Sequence, residues 1–463
     1  MVMMRPATVL FTLFLFVSAA SVTAADAVSR PNILHIHTDD YRADSLGALG
    51  HPIVKTPNLD MLVTSGFTFR HCYTMGSMVG AVCQPSRTMM LTGKSWLHIP
   101  KKGAAGDPEA SLPKVLSRAG YETWHCGKSG NEYTVGLNAF DTNFSMNDHD
   151  PDLRRGSSER HADAAIKFIK DRNPNRPFYI YLAPPVPHDP RVAAPEFHKL
   201  YDASKIPLLP GFMPLHPFDN GEMTVRDEKL APWPRTPDDT KQQLADYYAC
   251  ITGLDHHVGR LFDQLKKDGQ WKNTIIIFTG DNGLSMGEHG LFGKQNLYEF
   301  GGMHVPCVIA GPGIPYGKSD AFVYLMDLFP TYAEFAGATL PKDIDGRSLV
   351  PVIKGTQPKV RDLLYTGYRN CQRSVRDQQW KVIRYPLVNK TQLFDLKSDP
   401  YELCNLADEP EHAKKLAEMM ELLRAEMKRN DDTLELVVSN PQPAEWTPPA
   451  EKGRPAAKKK KAK

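Results

Sequence analysis

Residues 80–93 read Gly-Ala-Val-Cys-Gln-Pro-Ser-Arg-Thr-Met-Met-Leu-Thr-Gly, with the cysteine at position 83 and the arginine at position 87. Pro85 suits the first turn of a helix, where its missing N–H costs nothing. Cys83 would then lie at the helix N-terminus, beside unpaired N–H groups and the positive end of the helix dipole. Arg87 follows one turn later and can face the same anion. The stretch therefore predicts a helix start that holds an oxyanion or an activated nucleophile.

The pattern C-x-P-S-R-x-x-x-L-T-G in this stretch resembles the signature of the type I sulfatases, which belong to the alkaline phosphatase superfamily. The resemblance implies that a maturation enzyme converts Cys83 to formylglycine, an aldehyde whose hydrate attacks sulfur. The alternative is an ordinary buried cysteine at a helix start, which is the commonest state of a free cysteine.

The composition is that of an ordinary globular protein, with 463 residues of which 41% are hydrophobic and 24% are charged. The length suggests a large α/β domain and a smaller one. The formal net charge is +3, but the stretch from Glu451 onward contributes +6, so the rest of the chain is slightly acidic. This charge gives no reason to expect nucleic acid as a partner.

The N-terminus has the pattern of a secretory signal peptide over residues 1–25. Arg5 supplies the positive charge, residues 9–19 are apolar, and small residues precede a cleavage site near Ala24 or Ala25. The apolar run is short for a bilayer span, and no other segment is long and apolar enough, so we expect no stable membrane insertion. An uncleaved anchor is the alternative. The sequence thus predicts an exported protein, periplasmic or extracellular.

Acidic and amide side chains follow two predicted strands. Asp39 and Asp40 close the apolar run from Ile33, and Asp281 and Asn282 close a β-branched run that ends at Thr279. Ligand sites in open α/β sheets lie beyond the carboxyl ends of strands, although solvated turns are the alternative. Three carboxylates and an amide are hard oxygen donors and suit Ca²⁺. The resemblance implies the same four ligands, completed by the formylglycine at position 83.

The resemblance also assigns residues to the sulfate group and the leaving alcohol. Lys128, at a Gly-Lys strand end, and Lys294, four residues after Gly290, correspond to the two lysines that contact sulfate. His188 lies in a proline-rich loop after a third strand, where an imidazole can bind sulfate or protonate a leaving alcohol. The resemblance leaves open whether His188 or Lys294 protonates the departing alcohol. Without the resemblance, each would be read as a surface lysine or an ordinary loop histidine.

One position departs from the family pattern. The family usually has a histidine two residues after the first lysine, and this chain has Gly130. His125, His149 or a water molecule could take its place, although the spacing supports none of them. A subfamily with a rearranged site is one explanation, and a catalytically impaired protein is the other.

Residues 205–239 form a long segment rich in proline and aromatic residues, of the kind that serves as a lid or a structural wrap. An aromatic ring there could stack on a sugar, and polar side chains could bind its hydroxyls or charges. The candidates for substrate binding are His216, Asp219, Asn220, Arg226, Trp233 and Arg235.

The expected fold class is α/β, with a large mixed, mostly parallel sheet flanked by helices in an alkaline-phosphatase-like arrangement over residues 30–345. A smaller C-terminal α+β subdomain, with an antiparallel sheet and a helix, is expected over residues 346–438. Residues 439–463 are proline- and lysine-rich, and we expect a disordered basic tail.

The function expected from the residues and the resemblance together is calcium-dependent hydrolysis of a sulfate ester, with a sulfated carbohydrate as substrate. Two alternatives stay open. A phosphonate or phosphodiester hydrolase of the same superfamily can share the nucleophile, and a non-catalytic sulfated-glycan-binding protein would account for Gly130.

Overall fold

The computed structural model describes residues 30–99, 106–128, 134–146 and 157–449. The predicted signal peptide, Gly130 and His149 lie outside the described residues. Numbered in chain order, the strands are β1 Asn32–Thr38, β2 Phe67–Tyr73, β3 Gly76–Ser77, β4 Glu122–Lys128, β5 Thr142–Met146, β6 Phe178–Ala183, β7 Thr274–Gly280, β8 His304–Ala310, β9 Gly317–Tyr324, β10 Leu364–Tyr368, β11 Gln372–Arg376, β12 Trp380–Tyr385 and β13 Lys390–Asp395.

The larger sheet has eight strands in the order β5-β4-β6-β1-β7-β8-β2-β9. β1 pairs in parallel with both β6 and β7, while β8 runs antiparallel to β7 and to β2. The predicted large, mixed and mostly parallel sheet is therefore present. Since β1, β4, β6 and β7 are parallel neighbours, their carboxyl ends lie at the same edge of the sheet.

Both faces of this sheet are covered by apolar side chains because the parallel strands alternate between two cores. On β1, Leu34 and Ile36 belong to one core and Ile33 to the other. On β6, Ile180 and Tyr181 divide in the same way. A sheet buried on both faces explains why these strands read as continuous hydrophobic runs.

Helices flank the sheet, and the longest among the described residues begins at Pro237. Thr236 accepts a hydrogen bond from the backbone N–H of Asp239 at its start, and two lysines end it. Among the described residues, no helix has the length and apolarity required to cross a bilayer. The helices are α1 Pro57–Ser65, α2 Cys83–Thr92, α3 Leu112–Arg118, α4 Thr134–Leu137, α5 Ser157–Asp171, α6 Pro195–His198, α7 Pro237–Lys267, α8 Leu328–Ala336, α9 Val350–Ile353 and α10 Ala413–Arg429.

The smaller sheet has the order β13-β12-β11-β10-β3. Its four C-terminal strands are antiparallel, and α10 lies against them, as predicted for this part of the chain. Its edge strand β3 comes instead from residues 76–77 and pairs in parallel with β10. The smaller sheet is therefore completed by a segment that begins only seven residues before Cys83.

The first part of the predicted tail belongs to the folded body. The backbone N–H of Asp219 donates to the carbonyl of Ala444 at 2.8 Å, and that of Gln442 donates to Leu387 at the same distance. Trp446 packs with its ring centroid 6.1 Å from that of Trp233. The prediction of disorder from residue 439 is therefore wrong for residues 439–449, because apolar burial and backbone hydrogen bonds offset the ordering cost there. Residues 450–463 lie outside the described part of the chain.

Candidate active site

Cys83 is the first residue of α2, and Pro85 lies in the first turn of that helix as predicted. The cysteine is buried, with an exposure of 1%. Its Sγ lies 3.2 Å from Asp39 Oδ1, 3.8 Å from Asp40 Oδ1 and 3.1 Å from Lys294 Nζ. The start of this helix therefore meets a lysine and the two carboxylates at the end of β1.

The two acidic strand ends meet because β1 and β7 are parallel neighbours in register from Asn32 to Thr38. The backbone N–H of Asp40 donates to Asp281 Oδ1 at 3.1 Å, and Asn282 Nδ2 donates to Asp40 Oδ1 at 2.7 Å. Asp39, Asp40, Asp281 and Asn282 are all buried. The structure thus brings together the four residues predicted to bind a metal.

Three cationic side chains neutralise these carboxylates. Lys128 Nζ donates to Asp39 Oδ2 at 2.7 Å, and Lys294 Nζ donates to Asp40 Oδ1 at 2.6 Å. Arg87 Nε donates to Asp281 Oδ2 at 2.9 Å, with a second guanidinium nitrogen 3.6 Å from Asp39. The three predicted sulfate-binding cations therefore surround Cys83.

His188 closes the site from the loop after β6. The backbone N–H of Asp39 donates to the carbonyl of Val186 at 3.1 Å, which fixes this loop against the end of β1. His188 Nδ1 donates to the carbonyl of Asp189 at 2.6 Å, while Nε2 lies 3.8 Å from Asp40 Oδ2. One possible ligand atom from each of Asp39, Asp40, Cys83 and His188 lies within 4.8 Å of the others, which is compatible with a shared metal ion.

The surroundings of the site lower the pKa of one carboxylate, raise the pKa of another, and keep the Cys83 thiol neutral. Burial opposes ionisation of Asp39, but Lys128 and the neighbouring cations outweigh it and hold the pKa of Asp39 well below its usual range. Burial, reinforced by the nearby Asp39, raises the pKa of Asp281. Burial, and then Asp281 and Asp39, also raise the pKa of the Cys83 thiol well above its usual value. The unmodified thiol is therefore not an activated thiolate.

His125 lies inside β4. It is fully buried, its Nδ1 pairs with Asn143 Oδ1 at 2.8 Å, and burial lowers its pKa to about 3. It is thus a neutral core residue, and the structure gives no support for it as a replacement for the histidine that the family has in place of Gly130.

Three of the six predicted sugar-binding residues bond to neighbouring parts of the protein. His216 is buried and donates to the carbonyl of His289, while Arg235 is fully buried against Glu228 and backbone carbonyls. Asn220 Oδ1 accepts from the backbone N–H of Glu222. Each of these three side chains is buried and bonds to the protein itself, so the structure gives no support for them as surface subsites.

The other three predicted sugar-binding residues differ in how far they reach the site. Trp233 is half-buried between Arg235 and Trp446, and Asp219 accepts from the backbone N–H of Gly221. Arg226 alone of the set contacts a residue of the site loop, since it pairs with both carboxylate oxygens of Asp189. Its side chain is 59% exposed, so it lies at the rim of the site.

Sequence reasoning missed several residues that border the site. Asp189 pairs with Arg226. Gln295 Nε2 donates to Asp227 at 2.7 Å and to the carbonyl of Gly80 at 3.3 Å. Each of these three residues, Asp189, Asp227 and Gln295, directly follows a predicted site residue in the sequence. That adjacency is the signal that could have found them. Tyr247 on α7 carries no such signal, because its spacing in the sequence is that of an ordinary buried helix position.

Known proteins resemble this chain over most of its length. A family model described as Sulfatase matches residues 31–338, and one described as N-sulphoglucosamine sulphohydrolase, C-terminal, matches residues 287–429. A relative from Bacteroides thetaiotaomicron, an N-acetylglucosamine-6-O-sulfatase, is 26% identical over 92% of each chain.

Solved structures share the fold. One is a complex of a protein with its substrate D-glucosamine-2-N,6-O-disulfate, with a TM-score of 0.73, 24% identity, and coverage of 87% of this chain and 99% of that one. Another is the phosphonate monoester hydrolase of Agrobacterium radiobacter, with a TM-score of 0.74, 22% identity, and coverage of 87% and 96%. These likenesses confirm the predicted alkaline-phosphatase-like fold.

The Sulfatase model covers more than half of the chain, and the matched range contains every side chain that surrounds Cys83. The chain therefore belongs to the sulfatase family of sulfuric ester hydrolases.

Proposed function

We propose that this protein is a calcium-dependent sulfatase that removes sulfate from a saccharide, with a formylglycine derived from Cys83 as nucleophile. The observation that carries the proposal is the position of Cys83 Sγ, which lies within 4 Å of Asp39, Asp40 and Lys294. A nucleophile placed between metal-binding carboxylates and sulfate-binding cations suits transfer of an anionic group.

The donor set fits Ca²⁺. Asp39, Asp40, Asp281 and Asn282 would supply oxygen ligands, which Ca²⁺ prefers, together with residue 83. Asn282 Oδ1 is buried and accepts no hydrogen bond from the described residues, so a bound cation would satisfy it. His188 offers nitrogen, which makes it better suited to proton transfer than to this cation.

The charge balance of the site also fits a divalent cation. The three buried carboxylates are matched by Arg87, Lys128 and Lys294, so their formal charges cancel. A bound Ca²⁺ would leave a net charge of +2 in a buried site, which favours an anionic sulfate ester. Burial of that charge without an anionic partner is costly, so the site binds cation and anion better together than either alone.

The state of the thiol supports conversion of Cys83. Burial and neighbouring carboxylates raise its pKa, which makes the unmodified side chain a poor nucleophile at neutral pH. When present, the aldehyde hydrate would supply a nucleophilic hydroxyl and Ca²⁺ would act as a Lewis acid on the sulfate oxygens.

The residues of this chain then have separate tasks. Arg87 and the two lysines bind and neutralise the sulfuryl oxygens, which is the electrostatic part of catalysis. Because Nδ1 of His188 is engaged with the Asp189 carbonyl, Nε2 is the nitrogen placed to protonate the leaving alcohol. The rim formed by Asp189 and Arg226 offers polar groups to the alcohol part of the substrate.

A sulfated amino sugar is the substrate class that the comparisons favour. One relative is named for N-acetylglucosamine 6-O-sulfate, and one structural neighbour was solved with a sulfated glucosamine. The predicted signal peptide makes export to the periplasm or the exterior part of this proposal.

The test is release of inorganic sulfate by protein that was co-expressed with a formylglycine-generating enzyme. Substrates would include N-acetylglucosamine 6-sulfate, its 3- and 4-sulfate isomers, an aryl sulfate and an aryl phosphodiester, with Cys83→Ala as control. We expect sulfate release from at least one sugar sulfate and none from the control. A clear preference for the diester would support the phosphodiesterase alternative, and binding without release would support a glycan-binding protein.

A further inference from the structure

The backbone at Asp40 has an unusual conformation. Its φ of 64° lies in the left-handed region, which non-glycine residues adopt at a cost that aspartate tolerates better than most. The residue is buried at the end of β1, where its carboxylate contacts Lys294 and Asn282. Surrounding groups must therefore hold this turn in place.

Tyr247 holds the turn from the opposite side. Its hydroxyl donates to the carbonyl of Asp40 at 2.8 Å and accepts from the backbone N–H of Arg42 at 2.9 Å. One hydroxyl thus satisfies the buried backbone groups on both sides of Tyr41. Tyr247 is fully buried on α7, the longest helix of the described chain, so the hydroxyl is presented from a rigid element.

Arg42 connects the turn after β1 to the segment that follows β7. Its guanidinium donates to the carbonyl of Leu284 at 2.8 Å, two residues after Asn282, and pairs with Glu288 at 2.7 Å. The turn after β1 and the segment after β7 are therefore connected behind the carboxylates as well as through them.

We propose that Tyr247, acting with Arg42, is a positioning residue that sets the geometry of Asp40 for a divalent cation. The hydroxyl of Tyr247 acts through the backbone of a proposed metal ligand. The inference rests on the proposed function, since it concerns the calcium centre described there. Outer partners of this kind commonly change metal affinity by about 10- to 100-fold when they are removed.

The test compares Tyr247→Phe with Tyr248→Phe. Both changes remove one hydroxyl from neighbouring buried positions of α7, but it is the Tyr247 hydroxyl that bonds to the Asp40 carbonyl, whereas the ring of Tyr248 packs against His51. Calcium affinity would be measured by calorimetric titration of chelator-treated full-length protein. We expect Tyr247→Phe to weaken calcium binding by about 10- to 100-fold and Tyr248→Phe to leave it within about threefold of wild type.

A second readout separates positioning from general stability. The calcium dependence of sulfate release should shift with the affinity, so that Tyr247→Phe needs about 10- to 100-fold more calcium than wild type for its half-maximal rate. Arg42→Lys, which keeps the charge but lacks the planar guanidinium that bonds to Asp44, Leu284 and Glu288 together, should also weaken calcium binding. Unchanged calcium affinity in Tyr247→Phe, even with a lower melting temperature, would overturn this inference and leave the proposed metal centre unaffected. A wild type that binds no calcium would overturn the proposed metal centre, and the inference with it.

Discussion

The ammonium group of Lys294 lies 2.6 Å from Asp40 Oδ1 and is almost fully buried with it. Burial disfavours the charged form of the lysine, but the carboxylate outweighs it and raises the pKa of Lys294 well above its usual value. The side chain therefore stays cationic beside the nucleophile at position 83, and it can neutralise charge that develops on the sulfuryl group.

Replacement of Lys294 by methionine should lower kcat by about 100- to 1,000-fold, because one preorganised positive group is removed from the reacting centre. The assay is sulfate release at saturating substrate and calcium. Lys381→Met is the matched control, since Lys381 is also a buried lysine paired with two glutamates. The control should lose stability but keep its kcat. Equal losses of kcat in both variants would contradict the role of Lys294.

Replacement of Asn282 by alanine should weaken calcium binding by at least about tenfold, because the buried Oδ1 has no other partner among the described residues. The stabilisation that a calcium excess gives to wild type should shrink accordingly, as a ligand that binds only the folded state predicts. Thermal unfolding with chelator and with calcium measures this difference.

Asn296→Ala is the control for that comparison. Asn296 is another buried asparagine, and its Nδ2 donates to Ser285 Oγ and to the carbonyl of Gly293. The Asn296→Ala change should lower the melting temperature equally with and without calcium. A calcium-induced shift in Asn282→Ala that equals the wild-type shift would argue against Asn282 as a ligand.

Replacement of Arg226 by alanine should reduce kcat/KM by up to about 100-fold, because Asp189 and the loop that carries His188 lose their partner. Arg260 is a suitable control, since it is also partly exposed and pairs with Asp163 on α5. Arg260→Ala should leave kcat/KM within about twofold of wild type, as is usual for exposed ion pairs. If both variants behave alike, the rim takes no part in the reaction.

The stability of the protein should fall in acid partly through His216. Burial lowers its pKa to about 4 from the ordinary 6.5, so the unfolded chain binds a proton between these values that the folded protein does not. The stability contributed by the neutral ring is therefore present above pH 6.5 and is lost as the pH falls towards 4.

His216→Phe should cost stability at pH 7 through the lost hydrogen bond to His289. Between pH 7 and pH 5, the free energy of unfolding of His216→Phe should fall by about 2 kcal/mol less than that of wild type, at about 1.4 kcal/mol per pKa unit. Urea unfolding at the two pH values, in the presence of chelator, measures the difference. An equal loss in both proteins would mean that His216 is protonated in the folded state.

The centre of the site could be predicted because its residues lie at strand ends next to recognisable motifs. Asp39 and Asp281 are far apart in sequence, but each follows an apolar run that reads as a buried strand. Their contact follows from the parallel pairing of β1 with β7, which local patterns cannot give. The family resemblance, and not periodicity, connected these positions with Cys83.

The rim and the supporting residues could not be predicted in this way. His216 and Arg235 look like surface groups in a polar, proline-rich segment, and only the partners that bury them reveal a structural role. Tyr247 reads as a core position because helical spacing cannot show that its hydroxyl meets the carbonyl of Asp40. The two-residue strand β3 is too short for any pattern, although it joins the smaller sheet to the segment before Cys83.

The most direct test of the central claim is the rate of sulfate release against the fraction of residue 83 present as aldehyde. Preparations made with different amounts of the maturation enzyme would be assayed on the best sugar sulfate, and the aldehyde fraction measured by mass spectrometry of the peptide around residue 83. The rate should rise in proportion to the aldehyde fraction and extrapolate to zero without it. A rate that does not depend on that fraction, or no release from fully converted protein, would contradict the account.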